Sequence, residues 1–190
     1  MSDAAAFRFA LRDSAPNDAE AIAAIYAHHV RFGLGTFEEM PPSVEEIRQR
    51  RESILALGLP FLVAVAGDRV IGYAYAGPYR MRSAYRYTLE DSVYVAPDAT
   101  GHGIGRTLLA RLVERCDALG YRQMVAVIGD SGNQASIRLH AALGFARVGI
   151  QPAVGFKHGR WVDSVLMQRA LGEGATTTPA NSALERRVQR

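Results

Sequence analysis

Val93-Tyr94-Val95-Ala96-Pro97-Asp98-Ala99-Thr100-Gly101-His102-Gly103-Ile104-Gly105-Arg106 runs from an apolar, β-branched segment through three alternating glycines into a helical pattern. Val93–Val95 has the composition of a strand, and Pro97 ends it. After Gly105, Leu108, Leu109, Leu112 and Val113 recur at helical spacing on one face. A strand, a glycine loop and a helix start together leave several backbone N–H groups unpaired, at the positive end of the helix dipole. That arrangement suits a phosphate, and glycine lets the backbone come close to it. Geometry alone also allows a turn that needs glycine only for its shape. The loop lacks the Gly-Lys-Ser/Thr of a nucleotide P-loop and the G-x-G-x-x-G spacing of a dinucleotide fingerprint.

Downstream, Val125-Ala126-Val127-Ile128 reads as a buried strand. Asn133–Leu143 reads as a short helix stopped by Gly144, with Phe145 after it. Taken with Gly103 and Gly105, the residues Asn133, Leu139, Gly144 and Phe145 resemble the GNAT superfamily of acyl-CoA-dependent N-acetyltransferases. Thr100 stands where that family usually has Arg or Gln, and His140 where it often has Tyr. Val125–Gly129, Arg138-Leu139-His140 and Gly155–Trp161 with Asp163 are similar to the phosphinothricin and methionine-sulfoximine acetyltransferases. The resemblance runs from about residue 7 to 170, nearly the whole globular part.

The resemblance implies an α/β (α+β) GNAT fold: a mixed central sheet of about seven strands flanked by about four helices, with two parallel strands splayed to hold acetyl-CoA. It implies a reaction too, transfer of acetyl to the primary amine of a small anionic, amino-acid-like acceptor by direct attack. The implied donor contacts are Val93, Tyr94 and Val95 along the pantetheine arm. Gly101, His102, Gly103, Ile104, Gly105 and Arg106 would lie at the pyrophosphate, and Asn133 and Ser136 at the start of the later helix. A backbone N–H of Val93 or Val95 would bond the oxyanion. His140 is a candidate proton donor to the departing thiolate, or a contact to coenzyme A; Tyr94 is a second candidate donor.

Glu90-Asp91 lies directly before the apolar Val93–Val95. Acids inside an apolar strand are costly to bury without a partner or a task. Successive strand residues face opposite sides, so one of the two can face a cleft. The resemblance makes Glu90 the general base, and burial would raise its pKa toward neutrality. The competing reading pairs Glu90 with Arg82 or Arg86. Arg80, Arg82 and Tyr85 are candidates for the acceptor's acidic group, since guanidinium binds oxyanions in bidentate fashion. Phe37, between the first two helices, is a candidate aromatic wall.

Composition bounds the remainder. The 190 residues carry a formal charge of +3, nearly all of the positive charge being arginine, with Lys157 the only lysine. Without a basic stripe interleaved with aromatics, nucleic-acid binding is not expected. No apolar run approaches the roughly 20 residues of a membrane span. Met1–Ala4 has no basic, signal-like region. Cys116 is the only cysteine, which fits a cytoplasmic chain. His28 and His29 point to different sides of one helix, and no metal site is expected.

The expected elements are a strand at 7–12, a helix capped by Asp13 or Ser14, and a second helix capped by Ser43 and Glu46. Its Arg48, Arg50 and Arg51 read as a solvated face. A hairpin follows, turning at Gly67-Asp68, and later a strand from 86 to 95. The domain is expected to span 1–171, with 172–190 a mobile tail. The resemblance implies a homodimer. The rival readings are a GNAT that acetylates a peptide N-terminus, an aminoglycoside or a polyamine, and a non-catalytic acyl-CoA sensor.

Overall fold

The computed structural model describes residues 7–179. Among them, seven strands and four helices follow the order β1 (Ala10–Asp13), α1 (Ala19–Phe32), α2 (Val44–Ala56), β2 (Phe61–Ala66), β3 (Arg69–Pro78), β4 (Thr88–Val95), α3 (Ile104–Ala118), β5 (Gln123–Gly129), α4 (Gln134–Ala141), β6 (Ala146–Lys157) and β7 (Arg160–Ala170). The strands form one sheet in the order β1-β2-β3-β4-β5-β7-β6. Every neighbouring pair is antiparallel except β4 and β5, which are parallel. No helix among the described residues is long and apolar enough to cross a membrane.

Side-chain alternation along the sheet divides the molecule into two layers. Tyr73, Tyr75 and Tyr94 stack on one face, and Tyr26 of α1 meets Tyr94 edge-on at 5.0 Å. The other face carries α3. There Leu108, Leu109 and Leu112 are fully buried, each stabilising the fold by roughly 1.5–3 kcal/mol. These are the leucines whose spacing marks the helix in the sequence.

The capping box of α2 forms as the sequence indicates: Ser43 Oγ accepts from Glu46 N–H, and the Glu46 carboxylate accepts from Ser43 N–H. The Gly67-Asp68 hairpin forms between β2 and β3. The start of α1 differs from expectation. Neither Asp13 nor Ser14 caps it. Asp18 accepts from Ala15 N–H and pairs with Arg12, because a one-turn 3-10 segment at Pro16–Asp18 comes before the helix. Arg51 is also not part of a solvated face. It is buried and donates to Ser14 Oγ at 2.7 Å, tying α2 to the end of β1, whereas Arg48 and Arg50 make exposed pairs with Glu45 and Glu38. The 86–95 strand begins at Thr88, after a 3-10 turn at Ser83–Tyr85.

Residues 172–179 of the expected tail form turns, and Arg122 donates to the Thr177 carbonyl at 2.9 Å and pairs with Glu173. Residues 180–190 lie outside the described residues.

Candidate active site

β4 and β5 pair only at Thr88↔Gln123, Leu89↔Met124 and Glu90↔Val125. Beyond Glu90 they part, while β4 stays paired with β3 as far as Val95. Ala96 N–H donates to Ile71 O on the β3 side. By the alternation of an antiparallel ladder, Val93 and Val95 therefore turn their peptide groups toward the gap. The His29 ring donates from Nε2 to Val95 O at 2.9 Å, leaving the N–H groups of Val93 and Val95 facing open space. Burial lowers the His29 pKa, only partly offset by that carbonyl, which favours the neutral ring.

A cleft of about 960 Å³ follows this gap. At one end lies the glycine loop. Gly101 and Gly103 take left-handed φ values of 84° and 77°, and Gly103 is the N-terminal cap of α3. Any side chain at Gly103 would be strained in that conformation. The turn aims the first N–H groups of α3 at the cleft. Thr107 N–H bonds back to Gly103 O, so the donors of residues 101–106 are the ones left. Asn133 Oδ1 caps α4 by accepting from Ser136 N–H at 3.2 Å. Its amide N–H₂ remains, beside Gly35 on the cleft wall.

Glu90 sits where pairing between β4 and β5 ends. Among the described residues no hydrogen bond or ion pair reaches its carboxylate. Burial first, and then the neighbouring Asp91, push its pKa up to about 6, against the pull of Arg80. The competing reading from sequence, a pair with Arg82 or Arg86, does not form: Arg86 lies over the Tyr87 ring at 4.8 Å and donates to Ser83 O.

Asp91 faces the opposite side, toward α3 and α4. It is 7% exposed, and His140 of α4 is 2% exposed. His140 Nε2 lies 3.0 Å from Asp91 Oδ2, and Nδ1 donates to Ser136 O at 2.8 Å. Burial works against charge on this ring, but the hydrogen bond and charge of Asp91, with the Ser136 carbonyl, outweigh it and raise the pKa above the ordinary imidazole value.

The other end of the cleft is walled by the link between α1 and α2. Leu34–Gly35 lies on Gly129 of β5 so closely that a Cβ there would collide with the Leu34 carbonyl oxygen. Thr36 Oγ1 bonds Tyr26 OH at 2.8 Å, and Thr36 O accepts from Lys157 Nζ, also at 2.8 Å. Lys157 is fully buried, which lowers its pKa. The Phe37 ring lies flat against Gly155 and forms part of the cleft wall.

The structure therefore gathers Glu90, His140, Val93, Tyr94, Val95, Gly101, Gly103, Ile104, Gly105, Arg106, Asn133, Ser136 and Phe37 around one cleft. The Ile104 side chain is buried, leaving only its backbone to the loop. His102 is not on the cleft wall; it turns outward and stacks on Phe7 at 4.2 Å. Arg80, Arg82 and Tyr85 do not line the wall either, though Arg80 is near enough to Glu90 to pull on its pKa. They are exposed on the 79–87 connection, with Arg80 over Tyr79 and Tyr79 edge-on to Tyr85. Sequence reasoning missed His29 and Asp91. Asp91 carried a signal, an acid in an apolar strand, but His29 looks like any helix residue until its 2.9 Å bond to Val95 is known. Among the described residues, no group of three or more His, Cys, Asp or Glu side chains could hold a metal ion.

The sequence pattern of the acetyltransferase (GNAT) family matches residues 22–145. The chain is 58% identical over 163 residues to a phosphinothricin N-acetyltransferase of Alcaligenes faecalis, covering 86% of this chain and 83% of that one. It is 41% identical over 158 residues to an L-methionine sulfoximine/L-methionine sulfone acetyltransferase of Salmonella typhimurium, covering 83% and 92%. A crystal structure of a phosphinothricin acetyltransferase from Sinorhizobium meliloti in complex with acetyl-CoA superimposes with a TM-score of 0.89 at 49% identity, over 92% of this chain and 94% of that one.

Proposed function

This chain belongs to the GNAT family of acetyl-CoA-dependent N-acetyltransferases, and from that premise we propose that it acetylates the primary amine of a small anionic amino acid. Phosphinothricin and methionine sulfoximine or sulfone are the type of acceptor intended, in keeping with the relatives' activities. The observation that carries the proposal is Glu90, an unpartnered and largely buried carboxylate where the parallel strands part, with its pKa raised to about 6. A carboxylate so placed is ionised at neutral pH and basic enough to take a proton from an ammonium, directly or through water.

The residues fit the donor. Left-handed Gly101 and Gly103 open a run of free N–H groups for a pyrophosphate. The N–H groups of Val93 and Val95, with the Asn133 amide, are disposed along the gap for the amide-bearing pantetheine arm. Acetyl-CoA supplies an activated thioester carbonyl. Glu90 takes the amine proton, one of the Val93 and Val95 N–H groups bonds the oxyanion, and His140 supplies positive charge or a proton near the departing sulfur. Phe37 walls the acceptor end.

We further propose that the chain works as a cytoplasmic homodimer. Val148, Ile150, Val154, Phe156 and Trp161 leave an exposed apolar strip on β6 and the β6–β7 hairpin, which supports such a contact. Arg80, Arg82 and Tyr85 bind the acceptor's acidic group from the rim of the cleft, where Arg80 is near enough to Glu90 to pull on its pKa.

The test is thiol release from acetyl-CoA against phosphinothricin, methionine sulfoximine, methionine sulfone, the common free amino acids and polyamines. Turnover confined to the first three supports the proposal. Turnover only with polyamines overturns the acceptor assignment.

A further inference from the structure

The bond between Asp91 and His140 occupies a particular place in the sheet. Glu90↔Val125 is the last backbone pair between β4 and β5. One residue farther on, the ladder is replaced by a side-chain bond running from Asp91 on β4 to His140 on α4, the helix that follows β5. No other side-chain hydrogen bond links β4 to α4 among the described residues. The same helix carries Asn133 as its cap and Ser136 in its first turn. A brace here sets how far α4, and the donor groups on it, stand from β4.

We infer that Asp91 is a positioning residue for acetyl transfer: its buried carboxylate holds the His140 ring across the start of the β4–β5 gap with a proton on each nitrogen. The inference rests on the acetyl-transfer reading above and adds to it how the sulfur end of the cleft is held. The Ser136 partner fixes one proton, and the burial of Asp91 without another partner argues for the second. A carbonyl only accepts, so Nδ1 carries a proton toward Ser136 O. Asp91 Oδ1 is buried and accepts nothing among the described side chains, so compensation of the carboxylate falls on His140. Phe145 closes the ring's edge at 5.1 Å. The other titratable groups near Asp91 are Glu90, on the opposite face of β4, and Cys116 of α3, whose thiol is pushed up to about 12 by burial first and then by Asp91. Neither can serve as the counter-charge at neutral pH. With both nitrogens engaged, His140 gives up a proton only by releasing Asp91 or Ser136. Its resting part is that of a fixed cation beside the departing sulfur.

Two measurements on the full chain test this. Nitrogen NMR of the wild-type ring at about pH 8, where a solvated imidazole is neutral, is expected to show both His140 nitrogens protonated. In Asp91→Asn the ring is expected to become neutral with its proton on Nδ1, the Asn amide donating to Nε2. Kinetically, Asp91→Asn is expected to lower kcat roughly 10²-fold, the low end of what a positioned acid or base contributes. The KM for acetyl-CoA should change far less. Asp91→Asn combined with His140→Gln should be no slower than the slower single variant. A neutral wild-type ring at that pH overturns the inference without any variant. So does wild-type kcat in folded Asp91→Asn, or losses that multiply in the double variant. If the wild type acetylates its acceptors while Asp91→Asn is unaffected, only this inference falls. If the wild type transfers acetyl to no amine, the functional reading falls with it.

Discussion

The two ends of the cleft are built differently. The end proposed for the donor is made of main chain: left-handed glycines, the first turn of α3 and the open edge of β4. The end proposed for the acceptor is made of side chains brought from distant elements, with Thr36 held by Tyr26 of α1 and by Lys157 of β6, and Phe37 set against Gly155. Main-chain recognition tolerates change in nearly every side chain around it. Side-chain recognition changes with each substitution. A fold that keeps one donor and varies its acceptor would divide its cleft along these lines.

Perturbing each end separately sharpens the contrast. The largest effect is expected at the brace between them. His140→Ala leaves the Asp91 carboxylate buried without a counter-charge and should cost about 3–5 kcal/mol of unfolding free energy, read from urea titration at neutral pH. Asp91→Asn removes the charge itself and should cost much less. Equal losses would mean that the two side chains do not form a charged pair.

Next comes the glycine loop. Gly103→Ala places a Cβ on a residue with φ 77°, a strain of roughly 1–2 kcal/mol. It should weaken acetyl-CoA binding, measured by calorimetry, by up to about tenfold, since 1.4 kcal/mol is a factor of ten. The acceptor KM should stay put. A change confined to the acceptor would break the division of the cleft.

Arg82→Ala should do the reverse, raising the acceptor KM by about 1 kcal/mol equivalent or less, as suits an exposed charge, with the acetyl-CoA KM unchanged. Equal effects on both would remove Arg82 from acceptor selection.

The smallest effect concerns stability at Glu90. Its folded pKa is raised to about 6, so the fold prefers the protonated acid. That contribution is fully present below the unfolded value near 4.5 and is lost as pH rises through about 6. Glu90→Gln should therefore stabilise the protein at neutral pH, by no more than about 1 kcal/mol after allowing for partial solvation. For a chain of this size, this is a Tm rise of about 2–4 °C. The gain should vanish below about pH 4.5. A loss of Tm at neutral pH would show that the ionised carboxylate has a stabilising partner.

The same division explains what the sequence makes legible. Donor-end features depend on local backbone conformation, and glycine spacing, the Asn133 cap and the leucine periodicity of α3 report that directly. The seven-stranded mixed sheet and its splay came with the family resemblance those residues carry. At the proposed acceptor end, the wall depends on contacts between residues far apart in the chain. Lys157 reaches Thr36 across 121 positions, and nothing in either neighbourhood announces the other. Arg51 shows the limit in another way. It sits among Arg48, Arg50 and Glu52 in a pattern that reads as solvated, yet its helix turns that one arginine inward to Ser14. The exposed 79–87 connection keeps Arg80 and Arg82 off the cleft wall, although Arg80 still acts on Glu90, and no local pattern encodes that offset. The Glu90-Asp91 pair lies between these cases. Strand alternation correctly sends the two acids to opposite faces, but the partner of Asp91 is set by how α4 packs.

The central claim is that Glu90 takes the acceptor's proton, and the pH dependence of kcat/KM for the acceptor tests it most directly. In the wild type kcat/KM should rise with pH through an inflection near 6, the value to which burial and Asp91 push Glu90. In Glu90→Gln that limb should disappear and turnover should fall by roughly 10²-fold or more, with acetyl-CoA affinity intact. A Glu90→Gln enzyme that keeps both the limb and its turnover would contradict the account.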